Sequence, residues 1–245
     1  MNRTHLSTIL CLSVCFSVVA ASATNTQVAL SSPTSNPRSE GTLSCPSERE
    51  LGDRVNDLGS RMDGPAAFAA QNSLVASGRT SVQCRRKVIG ALLGAMGQSP
   101  VDRAAENRKY ILFHNGGRVL AQLKGTEALD VLLTNLTLTD ELSISIGHFP
   151  AVLALIDIGE AAIPKLQGVL YTDSESDRRR FAAFCIASIG GARARRSLRK
   201  ALATEKDDCV SKLLRTSLEL FDNGKRPNHI SPGDARFLGR FYCAY

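Results

Sequence analysis

The chain has 245 residues, a net charge of +7, 43% apolar residues, 5% aromatic residues and no tryptophan. So few aromatic side chains argue against a β-sandwich, which leans on aromatic and β-branched residues, and favour closely packed helices with a core of Leu, Ile, Val and Ala. The modest basic excess supports solubility and attraction to acidic surfaces and specifies no function by itself.

Residues 1–23 read as a secretory leader. Arg3 supplies a positive start, residues 9–20 are apolar, and Ala21-Ser22-Ala23 offers a small-residue cleavage site before Thr24. The apolar run is shorter than the ~20 residues a spanning helix needs. Val14 stands before Cys15 where a lipoprotein leader carries a small residue, so a lipid anchor is disfavoured. The mature chain is then expected to start at Thr24 outside the cytoplasm, secreted or periplasmic, with no transmembrane segment. Residues 24–46, including Ser31-Ser32-Pro33-Thr34-Ser35-Asn36-Pro37, hold too little apolar surface to offset ordering and predict a disordered Ser/Thr/Pro-rich linker.

Residues 47–100 predict N-terminal helices. Ser47 and Glu50 have capping-box spacing, with Leu51, Val55, Leu58 and Met62 following at helical period. Gly64-Pro65 ends that helix and starts a second through Phe68, Leu74 and Val75 to about Gly78. A third, over 81–96, puts Val88, Ile89, Leu92, Leu93 and Met96 on one side, with Gly90 and Gly94 as expected points of close helix approach.

Residues 101–224 carry an internal echo. Aligned on Gly125, Gly159 and Gly191, spaced by 34 and 32 residues, the chain repeats Ala128, Ala162 and Ala194, then Leu132, Leu166 and Leu198, then Leu136, Leu170 and Leu202. Such a period marks stacked supersecondary units. The first unit predicts a helix over 102–113, a break at Asn115-Gly116-Gly117, a resumption to Lys124, and a second helix over 127–136. The second begins near Thr139, restarts at Pro150 and turns at Gly159 into a helix over 160–170. In the third, Ser174 and Asp177 suggest a capping box, Ala182, Cys185, Ile186 and Ile189 share a face, and Gly190-Gly191 leads into residues 192–203. A last helix spans 207–222, and the aromatic residues within 225–245 suggest a C-terminal cap. The turns at Gly125, Gly159, Gly190 and Gly191 are expected to be structural.

Five cysteines follow the leader. Cys185 reads as a small core residue, and Cys45, Cys84, Cys209 and Cys243 allow three pairings. A bond between Cys209 and Cys243 is the expectation, because it would pin the cap to the last long helix.

No catalytic residue, metal site or cofactor is expected. His114, His148 and His229 lack metal-ligand spacing, and no GxSxG or phosphate-binding loop occurs. The one stretch with chemical character is basic: between Tyr171 and Ala203 eight Lys and Arg residues stand against three acids. Arg193, Arg196 and Lys200 fall on one helix stripe and Arg195 and Arg199 on another, leaving Ala194, Leu198, Ala201 and Leu202 for the core. With Lys165 on the preceding unit, these residues form the expected partner-binding face. Nucleic acid is not expected there, since no aromatic residues interleave with the arginines.

The phrases Ala154-Leu155-Ile156-Asp157-Ile158-Gly159-Glu160-Ala161-Ala162-Ile163-Pro164-Lys165-Leu166 and Ala187-Ser188-Ile189-Gly190-Gly191-Ala192 resemble HEAT-type repeats, in particular the short HEAT-like repeats also found in phycobilin lyases. Residues 121–129 give a weaker match. The resemblance implies an all-α, right-handed α-solenoid of about three to four stacked helix pairs whose second helices line a concave face, with protein–protein interaction as the usual role. It also leaves a lyase-like enzyme with a groove site as the alternative. An iron site of the deoxyhypusine hydroxylase type does not fit, because no His precedes a Glu. The functional expectation is a non-catalytic scaffold or adaptor with an acidic protein partner, and a purely structural envelope protein is a third reading.

Overall fold

The computed structural model describes residues 45–139 and 148–224. The expected leader, residues 24–44 of the expected linker, the entry to the second unit at 140–147 and the expected cap at 225–245 lie outside them. The described residues form helices and turns, without a strand among them.

The first helix, α1 (Glu48–Leu58), starts with a reciprocal capping box: Ser47 Oγ accepts from the Glu50 N–H, and the Glu50 carboxylate accepts from the Ser47 N–H at 2.8 Å. It ends four residues before Met62, which is exposed. Pro65 opens α2 (Pro65–Thr80), where its missing N–H costs nothing. Ser81 caps α3 (Val82–Met96), and Asp102 caps α4 (Arg103–Gln122) by accepting from the Ala105 N–H at 2.7 Å.

The glycines of α3 and α4 serve differently from the expectation. Gly90 and Gly94 face open space on α3, where an added Cβ would meet nothing within 4 Å. Close approach occurs instead at Gly78, where a Cβ would lie 2.7 Å from Leu123, and at Gly117, where it would lie 3.1 Å from the Ala154 Cβ. Nor does α4 break at Asn115-Gly116-Gly117. The helix runs through, because Gly116 and Gly117 let Leu92 of α3 and Ala154 press against its backbone, and that packing outweighs the low helix propensity of glycine.

The echo maps onto the core. Ala128, Ala162 and Ala194, then Leu132, Leu166 and Leu198, are fully buried, as are Leu136 and Leu170, while Leu202 is partly buried against them. A 3-10 turn at Thr126–Ala128 leads into α5 (Leu129–Thr134), and another at Gly159–Ala162 joins α6 (Pro150–Ile158) to α7 (Ile163–Thr172). Then come α8 (Ser176–Ile189), α9 (Gly191–Leu202) and α10 (Asp208–Asp222), the last capped by Asp207. Helices α4, α6, α8 and α10 pack in series; α5 lies on α6, α7 on α8 and α9, and α9 on α8 and α10.

Gly159 (φ 84°, ψ −145°) and Gly190 (φ 79°, ψ −168°) occupy a region reserved for glycine, and Gly191 has φ 86°. The first turn is made differently: Gly125 has φ −71°, and the left-handed residue is Lys124 at φ 51°. Ser174 and Asp177 form no capping box. Glu175 is the N-cap, and the Asp173 carboxylate accepts its N–H at 3.0 Å.

Cys45 and Cys84 form a disulfide that ties the segment before α1 to α3, with Cα atoms 5.2 Å apart. Cys209 is also disulfide-bonded, and its expected partner Cys243 lies outside the described residues. Cys185 is a buried free thiol whose pKa is pushed far up by desolvation.

Candidate functional face on helix α9

The Gly190-Gly191 turn aims α9 back along α8 so that Ala194, Ser197, Leu198 and Ala201 are buried. Ser197 belongs to the seam with α7: its hydroxyl donates to the Arg193 carbonyl at 2.8 Å and accepts from Gln167 Nε2 at 2.5 Å, while Tyr171 donates its hydroxyl to the Ser197 carbonyl at 3.3 Å. These bonds fix the rotation of α9. Its cations are thereby turned outward.

The six expected contact residues divide by what they touch. Lys165 is ion-paired with Asp130 of α5, and Arg195 with Asp222 at the end of α10. The Lys200 ammonium sits 4.9 Å from the Tyr171 ring centroid, a cation–π contact across the α7–α9 seam. Arg193, Arg196 and Arg199 are exposed and meet no carboxylate among the described residues. At i, i+3 and i+6 they cover about one side of the helix.

The remaining basic residues of this region do different work. Arg178, Arg179 and Arg180 sit in the opening turns of α8, where the helix dipole disfavours cations, and each is neutralised. Arg178 bonds Asp173 at 2.8 Å and donates to the Leu133 and Thr134 carbonyls at the end of α5. Arg179 grips Glu205 through two bonds of 2.9 Å. Arg180 pairs with Asp177 and donates to Cys209 Sγ at 3.2 Å. Burial pushes the Glu205 and Asp173 carboxyls up, but the guanidinium and backbone N–H bonds outweigh it and hold both below the usual carboxylate range. Their placement against the dipole was the signal in the sequence that these three arginines are structural.

No family model, curated protein or solved structure matches the chain.

Away from α9, the α1–α2 turn is held by α4. His114 Nε2 lies 3.6 Å from Asp63, Arg118 bonds Asp63 at 2.7 Å, and Asn115, fully buried, donates to the Leu58 and Arg61 carbonyls and accepts from Gln71. No group of three His, Cys, Asp or Glu residues suited to a metal occurs among the described residues. No described helix is long and apolar enough to cross a membrane.

Proposed function

We propose that this chain is an exported, non-catalytic interaction module: a HEAT-like, right-handed α-solenoid that scaffolds an acidic protein partner through its second-helix face. The observation that carries the reading is the contrast between neighbouring helices. Every arginine in the opening turns of α8 is neutralised, whereas Arg193, Arg196 and Arg199 on α9 face solvent without an acid among the described residues. Such charges add nothing to packing, repel one another, and gain when an acidic surface arrives.

Two features support the rest. The series α4, α6, α8 and α10, with α5, α7 and α9 beside it, is the layering that stacked helix pairs produce. The Cys45–Cys84 bond suits an oxidising compartment, in keeping with the leader-like residues 1–23.

The test is capture of partners from the extracytoplasmic fraction by the mature chain and by a variant carrying Arg193→Gln, Arg196→Gln and Arg199→Gln. Recovery of a discrete acidic protein by the parent, with a retention that falls as salt rises, supports the reading. Equal capture and an equal salt slope for the variant would reduce the face to a solvated helix side.

A further inference from the structure

A groove of ≈ 390 Å³ runs between α1, the end of α3 and α4, far along the chain from the α9 face. Val55, Ala95 and Leu112 give it an apolar floor, and Gln98 and Ser99 of the α3–α4 connection give it a polar edge. Arg108 and Lys109 stand on its α4 side. No acidic side chain is among its described lining residues. Asp102, the N-cap of α4, accepts from the Ala105 N–H.

Neither cation meets an acid among the described residues. Arg108 donates to Asn56 Oδ1 at 2.9 Å, a neutral partner, and Lys109 has its ammonium 5.9 Å from the Phe113 ring centroid and no ion pair among the described residues. Gly59 leaves room for the arginine, since an added Cβ would come within 3.3 Å of its Cγ. Glycine at 59 is therefore compatible with the Arg108 side chain reaching Asn56 of α1. A few apolar side chains on the floor of a largely polar groove, with two positive groups on one side and a volume within the usual range of ligand pockets, suit a small molecule with an apolar part and one anionic head.

We propose that the α1–α3–α4 groove binds a small amphiphilic organic anion, with its apolar part on Val55, Ala95 and Leu112 and its anionic head between Arg108 and Lys109. The site is independent of the α9 face and of the protein partner proposed for it.

The probe is 8-anilinonaphthalene-1-sulfonate, titrated by fluorescence into the full chain with its disulfides intact and repeated in the presence of decanoate. Saturable binding to one site, displaced by decanoate, is expected. Lys109→Gln should raise the dissociation constant about tenfold, the scale of one lost charge-assisted hydrogen bond. Ala105→Trp, which crowds the groove from the turn of α4 that precedes both cations, should abolish binding, and Arg196→Gln should leave it unchanged. Far-UV circular dichroism and thermal melting check that each variant is folded. Non-saturable binding, or an affinity unaltered in both Lys109→Gln and Ala105→Trp, overturns the site. Loss in Ala105→Trp alone overturns the anionic part of the assignment.

Discussion

Arg179 holds Glu205 by a two-pronged grip, Nε to Oε2 and Nη2 to Oε1, both at 2.9 Å, and so clips α8 to the connection between α9 and α10. The same guanidinium donates to the Asp173 and Ser174 carbonyls, which orders the α7–α8 connection. Both side chains are largely buried, so the pair is poorly screened by water.

Removing one partner strands the other. Glu205→Gln is expected to destabilise the fold by about 1–3 kcal/mol. The Glu205 carboxyl is lowered in the folded state, so its contribution is present above the ordinary carboxylate value and is lost as pH falls through the lowered one. Urea unfolding at neutral and acid pH checks both points: the parent and the variant should differ at pH 7 and converge in acid.

Glycine substitutions should divide by backbone conformation. Gly190→Val forces a β-branched residue into a region that only glycine adopts readily and should cost about 1–3 kcal/mol. Gly94→Ala, helical and facing open space, should stabilise by roughly 0.5–1 kcal/mol. Thermal melting tests the pair, and shifts of the same sign would contradict the backbone assignment.

The His114 imidazole is lowered by burial and by the Arg118 charge, which Asp63 only partly offsets. Its folded value therefore lies below the unfolded value of about 6.5, and the unfolded chain holds more protons between the two. Stability is expected to decline as pH falls from that value through the folded one. His114→Gln should flatten this decline in denaturant midpoints measured across the same window; an unchanged slope would assign it elsewhere. Asp63, lowered chiefly by its bond to Arg118, loses its own contribution only further into the acid range.

The Cys45–Cys84 bond closes a loop with a sequence separation of 39. In the chain-entropy model a loop of that size is worth about 4 kcal/mol. Unfolding of a Cys45→Ser, Cys84→Ser variant under non-reducing conditions should show a loss of that order, with helix content retained in native buffer.

Much of this was legible in the residues. The alanines and leucines in phase with Gly125, Gly159 and Gly191 are the core of the repeated region, and Ser47, Pro150 and Asp207 mark helix starts as their chemistry requires. What the sequence concealed depended on distant neighbours. Gly116 and Gly117 look like a local break, yet α3 and α6 need the space above them. Lys124 takes a left-handed conformation that glycine usually supplies, and its ammonium bonds the Asp157 carbonyl at 2.6 Å, a contact spanning 33 residues. Asn115 reads as a turn residue and is instead the buried anchor of the α1–α2 turn. On α9 the sequence showed the basic face but not which cations are engaged, because Asp130, Tyr171 and Asp222 come from other helices.

The unbroken α4 has a consequence for how the molecule comes apart. At 20 residues it is about 30 Å long. It packs against α1, α2 and α3 and also against α6, so the N-terminal helices and the repeated region share one rod. Neither group can shed its contacts while that rod stays intact, and melting the rod removes a wall from both. Heat or denaturant should therefore dismantle the two together, in one cooperative transition, despite their different sequence patterns.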